Sequence, residues 1–310
     1  MPTDRLYYHD SYARAFRARV TGSAADGQRV YLDRTAFYPA SGGQPSDTGV
    51  LDGVPVHEVV DEDDDRVAHL LAAPLSPDAL RGEREVQGSI DWARRWDHMQ
   101  QHTGQHLLSA ALHELFGMPT LSFHLGAEAS TIDLGAAALS PQQVAQAEAR
   151  CAAIVAAARR VAVRFEEAAE ADGLRKASER RGTLRIVAIE GIDKSACGGT
   201  HVRSTSEIGL IQIRKLDKIR GNVRLEFVCG DRALRRVRED EAQLPENTQI
   251  SYQIPVAPSA PAFAEMSAPR YCMAEGNTSM SSSVIITLRP RFAKAAIVAS
   301  NCSSEGHAIP

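Results

Sequence analysis

Two histidines four residues apart in the run Gln101-His102-Thr103-Gly104-Gln105-His106 constrain this chain most, together with a cysteine and a histidine at the same spacing in Cys197-Gly198-Gly199-Thr200-His201. On a helix, side chains at i and i+4 share one face, so His102 and His106 project together and can hold one metal ion. In the second run, two glycines free the backbone to turn a thiolate and an imidazole toward a shared centre. Together the halves supply one cysteine and three histidines, so the fold has to bring position 102 beside position 197. One soft thiolate with three imidazoles suits zinc, whereas magnesium and calcium take oxygen ligands. Four protein ligands are also the stoichiometry of a closed structural site, while a catalytic zinc usually keeps an open position.

The helical period runs from Asp97 to Gly117, where Met99, Leu107, Leu108, Ala111, Leu112, Leu115 and Phe116 recur on one face. Asp97 is the expected N-cap, and Gly117 ahead of Met118-Pro119 the expected terminator. His98 falls in the first turn of that helix and is expected to be solvated; His113 and His124 read as structural residues.

Upstream, from Ala18 to Asp91, short β-rich runs alternate with the hairpin dipeptides Asp26-Gly27 and Asp52-Gly53, which predicts a small all-β domain. Inside it, Phe37 to Gly49 forms a glycine-containing turn whose polar groups can approach a ligand closely, and the acidic run Asp61 to Asp65 reads as a solvated loop.

Downstream, Ser140-Pro141-Gln142-Gln143 is a capping box opening an alanine-rich helix toward Arg160. A strand at Val161 to Phe165, a short helix at Ala168 to Ala177 and a strand at Leu184 to Ile189 follow. Ile208 to Leu216 and Val223 to Cys229 read as paired strands joined through Asp217 to Asn222, ahead of a charged helix from Asp231 to Leu244. The class is α+β, divided into a β-rich segment 1–91, a metal-binding segment 92–244 and a C-terminal tail 245–310 of low order, where only Ser283 to Leu288 keeps a regular period.

A chain of 310 residues, 44% hydrophobic and 24% charged, can bury an ordinary core. Its five cysteines, at 151, 197, 229, 272 and 302, do not form the dense paired framework of a small secreted domain and read as free thiols or ligands. No signal-like run opens the sequence and no apolar stretch is long enough to span a bilayer, so the expectation is a cytoplasmic protein without membrane contact. The net charge of −4 argues against general nucleic-acid binding, yet Arg203 to Arg238 holds ten Lys or Arg against four acids.

The runs FYPASGGQPSDTG at 37–49, QQHTGQHLLSAAL at 100–112 and CGGTHVRSTSEIG at 197–209, with SFHLGAEASTIDL at 122–134 and NVRLEFVCG at 222–230, resemble the alanyl-tRNA editing proteins, relatives of the editing domain of alanyl-tRNA synthetase. The resemblance runs from Arg5 to Leu244 and keeps the order of the motifs; it departs at Ala40, where Thr or Glu is expected. It implies a small N-terminal β-barrel-like domain followed by a helix-and-antiparallel-sheet zinc-binding editing domain of the threonyl/alanyl-tRNA synthetase additional-domain type. It also implies zinc on His102, His106, Cys197 and His201, and hydrolysis of the ester joining serine, and often glycine, to the 3′ end of alanine tRNA. Only some twenty residues precede the β-rich segment, so no aminoacylation domain is expected.

Within that reading Gln44, Gln105 and Thr200 position polar groups and water, the acceptor arm of tRNA(Ala) is the partner, and no obligate protein partner is implied. A zinc peptidase is disfavoured because Thr103 stands where its general-base Glu would be. A covalent role for Cys197 is disfavoured because a zinc-bound thiolate attacks poorly. The competing reading is a non-catalytic, zinc-stabilised tRNA-binding module.

Overall fold

The computed structural model of the protein describes residues 2–179, 181–243, 286–287 and 296–297. Its contacts divide the chain into two units, Met1–Arg238 and Glu239–Pro310. The first unit opens with β1 (Asp4–Arg5), β2 (Ala15–Ala18), β3 (Val20–Ser23), β4 (Arg29–Leu32) and β5 (Arg34–Thr35). It continues through β6 (Gly49–Leu51), β7 (Val54–Asp61), β8 (Val67–Leu71), the single turn α1 (Pro77–Leu80) and β9 (Val86–Ile90). Seven strands make one antiparallel sheet in the order β2-β9-β6-β7-β8-β4-β3, while β1 pairs with β5 in parallel. The two edge strands β2 and β3 are separated in the chain by Arg19 alone, so the sheet curls until its edges nearly meet.

Both hairpin dipeptides sit where the sequence puts them, Asp26-Gly27 between β3 and β4 and Asp52-Gly53 between β6 and β7. The enclosed core holds Phe16, Val30, Leu32, Phe37, Leu51 and Val59. His69 lies fully buried within it, its Nδ1 at 3.2 Å from the Val30 carbonyl and its Nε2 at 2.8 Å from Thr35 Oγ1. The acidic run tops the β7–β8 hairpin and is solvated as expected, with Glu62 and Asp64 paired to Arg66.

Helix α2 (Trp92–Phe116) starts directly after β9, with Asp91 as N-cap, its side chain accepting from the Arg94 amide at 3.2 Å. This corrects the expected cap at Asp97, whose carboxylate instead accepts from Arg232 Nε at 2.7 Å. The extra turns are charged and look like surface, but Arg95 is 0% exposed and ion-paired with Asp47, itself 0% exposed. Arg95 Nη1 donates to the Ser11 carbonyl at 2.8 Å and Nη2 to the Ala36 carbonyl at 2.6 Å. His98 is likewise buried, not solvated; burial, with the nearby Arg94, pulls its pKa down to about 4. The helix closes at Gly117 with φ 65°, the left-handed cap the sequence predicts.

Beyond α2 come β10 (Thr120–Leu125), β11 (Ser130–Leu134), α3 (Pro141–Ala156), β12 (Val161–Glu167), β13 (Thr183–Ile189) and β14 (Asp193–Ala196), then β15 (Ile211–Ile219), β16 (Asn222–Cys229) and α4 (Gly230–Gln243). A four-stranded sheet, β10-β11-β16-β15, and a three-stranded sheet, β12-β13-β14, result. The capping box on Ser140 and Gln143 is present, but α3 stops at Ala156, short of Arg160. The helix expected at Ala168 to Ala177 is absent. Gly173, at φ 64°, interrupts it, and the Arg175 amide bonds to the Lys194 carbonyl at 2.9 Å, laying the segment along β14. Ile208, read as the first residue of a strand, instead ends a 3-10 turn, Thr205–Ile208, with its own capping box on Ser204 and Glu207, and the strand starts at Ile211.

Leu107, Leu108, Ala111 and Leu112 of α2 pack with Ile132, Leu225 and Phe227 of the four-stranded sheet into a second core, and Trp92 packs against both cores. Among the buried polar residues of α2, Gln101 serves the sheet's backbone, donating to the Cys229 carbonyl and accepting from the Cys229 amide, each at 2.9 Å. Gly104 allows the approach, since a Cβ there would come within 2.3 Å of Cys229 Sγ. In the second unit, β17 (Ile286–Thr287) pairs antiparallel with β18 (Ala296–Ile297), β17 falling inside the run Ser283 to Leu288. The rest of the expectation for 245–310 lies outside the described residues. Among the described residues no helix is long and apolar enough to cross a membrane.

Two outcomes follow. Asp47→Ala leaves the Arg95 guanidinium buried without its anion and lowers unfolding free energy by about 3–5 kcal/mol in urea titrations, whereas Arg81→Ala, which breaks an exposed pair with Glu83, leaves the midpoint unchanged. His69 takes up a proton near pH 6.5 when unfolded but only near 4 when buried, because burial disfavours the cation. Stability is therefore complete above pH 6.5 and declines as pH drops toward 4, by up to about 1.4 kcal/mol per pH unit. His69→Gln flattens that decline in a series of urea midpoints against pH.

Candidate metal centre

Helix α2 presents His102 and His106 on one face, and the turn after β14 presents Cys197 and His201 opposite them. One ligand atom from each of the four lies within 4.8 Å of the others. Cys197 Sγ stands 3.4 Å from His102 Nε2 and 3.3 Å from His201 Nε2, and the three imidazoles are 1%, 3% and 3% exposed. The juxtaposition of positions 102 and 197 that the sequence demanded is thus met.

Each imidazole has its outer nitrogen held by an acceptor. His102 Nδ1 lies 2.8 Å from Gln44 Oε1, an oxygen that can only accept. His106 Nδ1 lies 3.1 Å from Asp193 Oδ2. His201 Nδ1 lies 3.1 Å from Thr103 Oγ1, whose own proton goes to the Met99 carbonyl at 2.8 Å. All three rings therefore hold a proton on Nδ1 and turn Nε2 inward, the orientation that metal-ligating histidines adopt.

Electrostatics agree with that donor set. Burial pushes the Cys197 thiol up, but His102 and His201 beside it outweigh this and hold it well below the usual thiol range. Burial, with His102 nearby, pulls His201 down to about 3, which keeps it neutral. Burial would raise Asp193, but His106 and Arg175 outweigh it and hold the carboxyl at about 2, so it stays an anion. Burial would lower His106, but Asp193 and Cys197 outweigh it and raise its pKa to about 9, so a metal ion arriving there displaces a proton. One thiolate and three imidazoles aimed at one point form a donor set that fits a metal ion.

The sequence assigned flexibility to both glycines of the second run; the structure uses Gly199 for space, while a side chain at Gly198 would meet only Tyr8 at ordinary contact distance. A Cβ on Gly199 would lie 2.1 Å from His102 Cε1 and 2.9 Å from Gln44 Oε1. Gln44, 2% exposed, spans from the turn after β5 to this point, its Nε2 donating to Thr200 Oγ1 at 2.9 Å while its Oε1 accepts from the Thr200 amide at 3.1 Å. Gln44 and Thr200 thus stand behind His102, whereas Gln105 lines a cavity beside His106 and donates to Ser109 Oγ at 2.8 Å.

Cavities adjoin the centre on two sides and share Cys197, Ala196, Phe123 and Gly42 in their walls. The one beside His106 measures about 400 Å³. The other, about 580 Å³, is walled by Tyr8, Tyr38, Phe165, Arg5, Arg181 and Arg185 as well. Sequence reading passed over Asp193, Arg175 and Arg185. Nothing in their local spacing marks them, although Asp193 sits four residues before Cys197, on the strand that delivers it.

Residues 184–226 match the family model described as the threonyl and alanyl tRNA synthetase second additional domain, a span that includes Cys197 and His201. The chain is 37% identical over 221 residues to the alanyl-tRNA editing protein Aarsd1-B of Xenopus laevis, covering 69% of this chain and 52% of that protein. It is 32% identical over 248 residues to the alanyl-tRNA editing protein AlaX-L of Pyrococcus horikoshii, covering 76% and 60%. It is also 37% identical over 270 residues to an alanine–tRNA ligase of Pyrobaculum aerophilum, covering 80% of this chain but 29% of the ligase. The chain thus spans about half to three-fifths of the editing proteins it matches. It is a homologue of the alanyl-tRNA editing proteins and carries the second additional domain of the threonyl and alanyl tRNA synthetases.

Proposed function

We propose that the chain is a cytoplasmic, zinc-dependent deacylase that hydrolyses Ser-tRNA(Ala), with Gly-tRNA(Ala) as a second substrate. The carrying observation is the convergence of one cysteine sulfur and three imidazole nitrogens at the wall of two cavities, in a homologue of editing proteins. The donor set favours zinc over oxygen-seeking ions. Bound zinc supplies Lewis-acid polarisation and a fixed positive charge for orientation.

The chain's own residues do the rest. Gln44, held by Thr200, fixes the ring of His102, and Asp193, braced by Arg175 at 2.7 Å, fixes that of His106. These are positioning residues. Gln105, on the cavity wall beside His106, orients water or the substrate's amino group. Tyr8, Tyr38 and Phe165 give the larger cavity aromatic faces for the terminal nucleoside, and Arg181 at the same wall faces its phosphate, Arg5 there being already paired with Asp61. The acceptor arm rests on the exposed cations Lys215, Lys218 and Arg220 at the β15–β16 hairpin and Arg235 and Arg238 on α4.

Incubation of the purified protein with each mischarged tRNA tests this directly: both esters are expected to be cleaved faster than in buffer, with Ala-tRNA(Ala) spared. His102→Ala and Cys197→Ala abolish the activity together with bound zinc. Bound tRNA with both esters intact supports the binding-module alternative, which the closed set of four ligands would also serve. Asp193→Asn weakens zinc binding about 10- to 100-fold in a chelator competition, since it alters the acceptor on His106 Nδ1. Affinity for tRNA falls as salt rises, with a shallower slope in a Lys215→Ala, Lys218→Ala double variant.

A further inference from the structure

Tyr7, Tyr8 and Tyr38 all line the larger cavity beside the metal centre, and they differ in what their hydroxyls do. Tyr7, 0% exposed, accepts from Arg5 Nη1 at 3.4 Å, and Tyr38 donates to the Ser41 carbonyl at 3.1 Å. The Tyr8 hydroxyl has no hydrogen-bond partner among the described residues, and it is open to water rather than sealed in the protein. A side chain placed at Gly198, one residue past Cys197, would have its Cβ 3.7 Å from that oxygen. The hydroxyl therefore stands in the cavity beside the turn that carries two of the four metal-centre ligands.

The ring behind it is fixed. Tyr8 closes the 3-10 turn Leu6–Tyr8, and its carbonyl accepts from Arg185 Nε at 3.0 Å. Its ring meets Tyr7 edge to face at 5.0 Å between centroids, and the guanidinium carbons of Arg185 and Arg5 lie 5.4 and 5.7 Å from its centroid. A hydroxyl on so constrained a ring loses little freedom when a ligand binds. It both donates and accepts, so it suits a neutral hydroxyl better than an ammonium group, which only donates. Arg5, Arg181 and Arg185 share its cavity, and the one carboxylate in those walls, Asp61, is already paired with Arg5, so an ammonium group is disfavoured there altogether.

Building on the deacylase reading, which seats the terminal nucleoside in this cavity, we infer that the Tyr8 hydroxyl hydrogen-bonds the free ribose hydroxyl next to the scissile ester. The contact reads the sugar as ribose and holds the ester bond at the wall the two cavities share, where Ala196 and Cys197 stand. No covalent bond is made or broken through Tyr8; its part is recognition. Because its hydroxyl has no partner to give up inside the protein, the ligand displaces only water to reach it.

The test compares the protein with Tyr8→Phe, which removes the hydroxyl and keeps the ring. Each is titrated with two minihelix RNAs that carry serine through a non-hydrolysable 3′-amide, one with a 2′-hydroxyl on the terminal adenosine and the other with hydrogen there. The unsubstituted protein is expected to prefer the first by about 10-fold, and Tyr8→Phe to bind both alike. Melting temperature and metal content stay unchanged, because the hydroxyl holds nothing within the protein. An unsubstituted protein indifferent to the 2′-hydroxyl, or a variant that keeps the full preference, overturns the inference. A variant that melts early or loses its metal overturns it as well, since the hydroxyl would then have a partner in the free protein. An unsubstituted protein that leaves both mischarged tRNAs charged refutes the deacylase reading itself, which is a different outcome from an active protein that ignores the 2′-hydroxyl.

Discussion

The buried pair of Arg95 with Asp47 is the interaction on which the placement of everything else depends. Arg95 precedes His102 by seven residues, two turns of helix, so the two side chains leave α2 along the same stripe. Asp47 follows Gln44 by three residues in the loop that faces this stripe. The ion pair at one end of the contact and the Gln44–His102 bond at the other therefore clamp one short loop to one helix face in a single register. Charges withdrawn so completely from water tolerate little sliding, because any displacement exposes an unpaired ion to the interior.

From that register the metal centre inherits its order. The acceptors on the outer imidazole nitrogens come from different parts of the fold: Gln44 from the loop after β5, Asp193 from β14 and Thr103 from α2 itself. Each ring is aimed by an element the others do not control, and the thiolate arrives on a turn braced by Arg185. The geometry is thus preorganised by the protein's own hydrogen bonds.

Much of this was legible in the sequence where local chemistry decides the outcome. The i, i+4 histidines, the hairpin dipeptides, the Ser140 capping box and the Gly117 terminator report on neighbours a few residues away, and each sits where expected. The failures at the start of α2 share one physical cause, which is long-range burial of polar groups. Trp92 to Trp96 looks like solvated surface because its arginines carry charge, yet distant Asp47 neutralises Arg95, so the helix begins at Asp91. His98 reads as exposed because a cap at Asp97 would put it in the first turn, whereas the earlier start at Asp91 carries it into the buried part of the helix. The helix expected at Ala168 was a matter of weak propensity that a single interrupting glycine and a backbone bond to Lys194 overrode. Asp193 and Arg185 carry no local signal at all; their importance comes from what lies across from them.

One further property comes from the join between β9 and α2, where Asp91 alone separates strand from helix and Trp92 is packed into both cores. Strand, helix and both cores thus meet at a single indole, so a shift in either core is passed to the helix that carries His102 and His106.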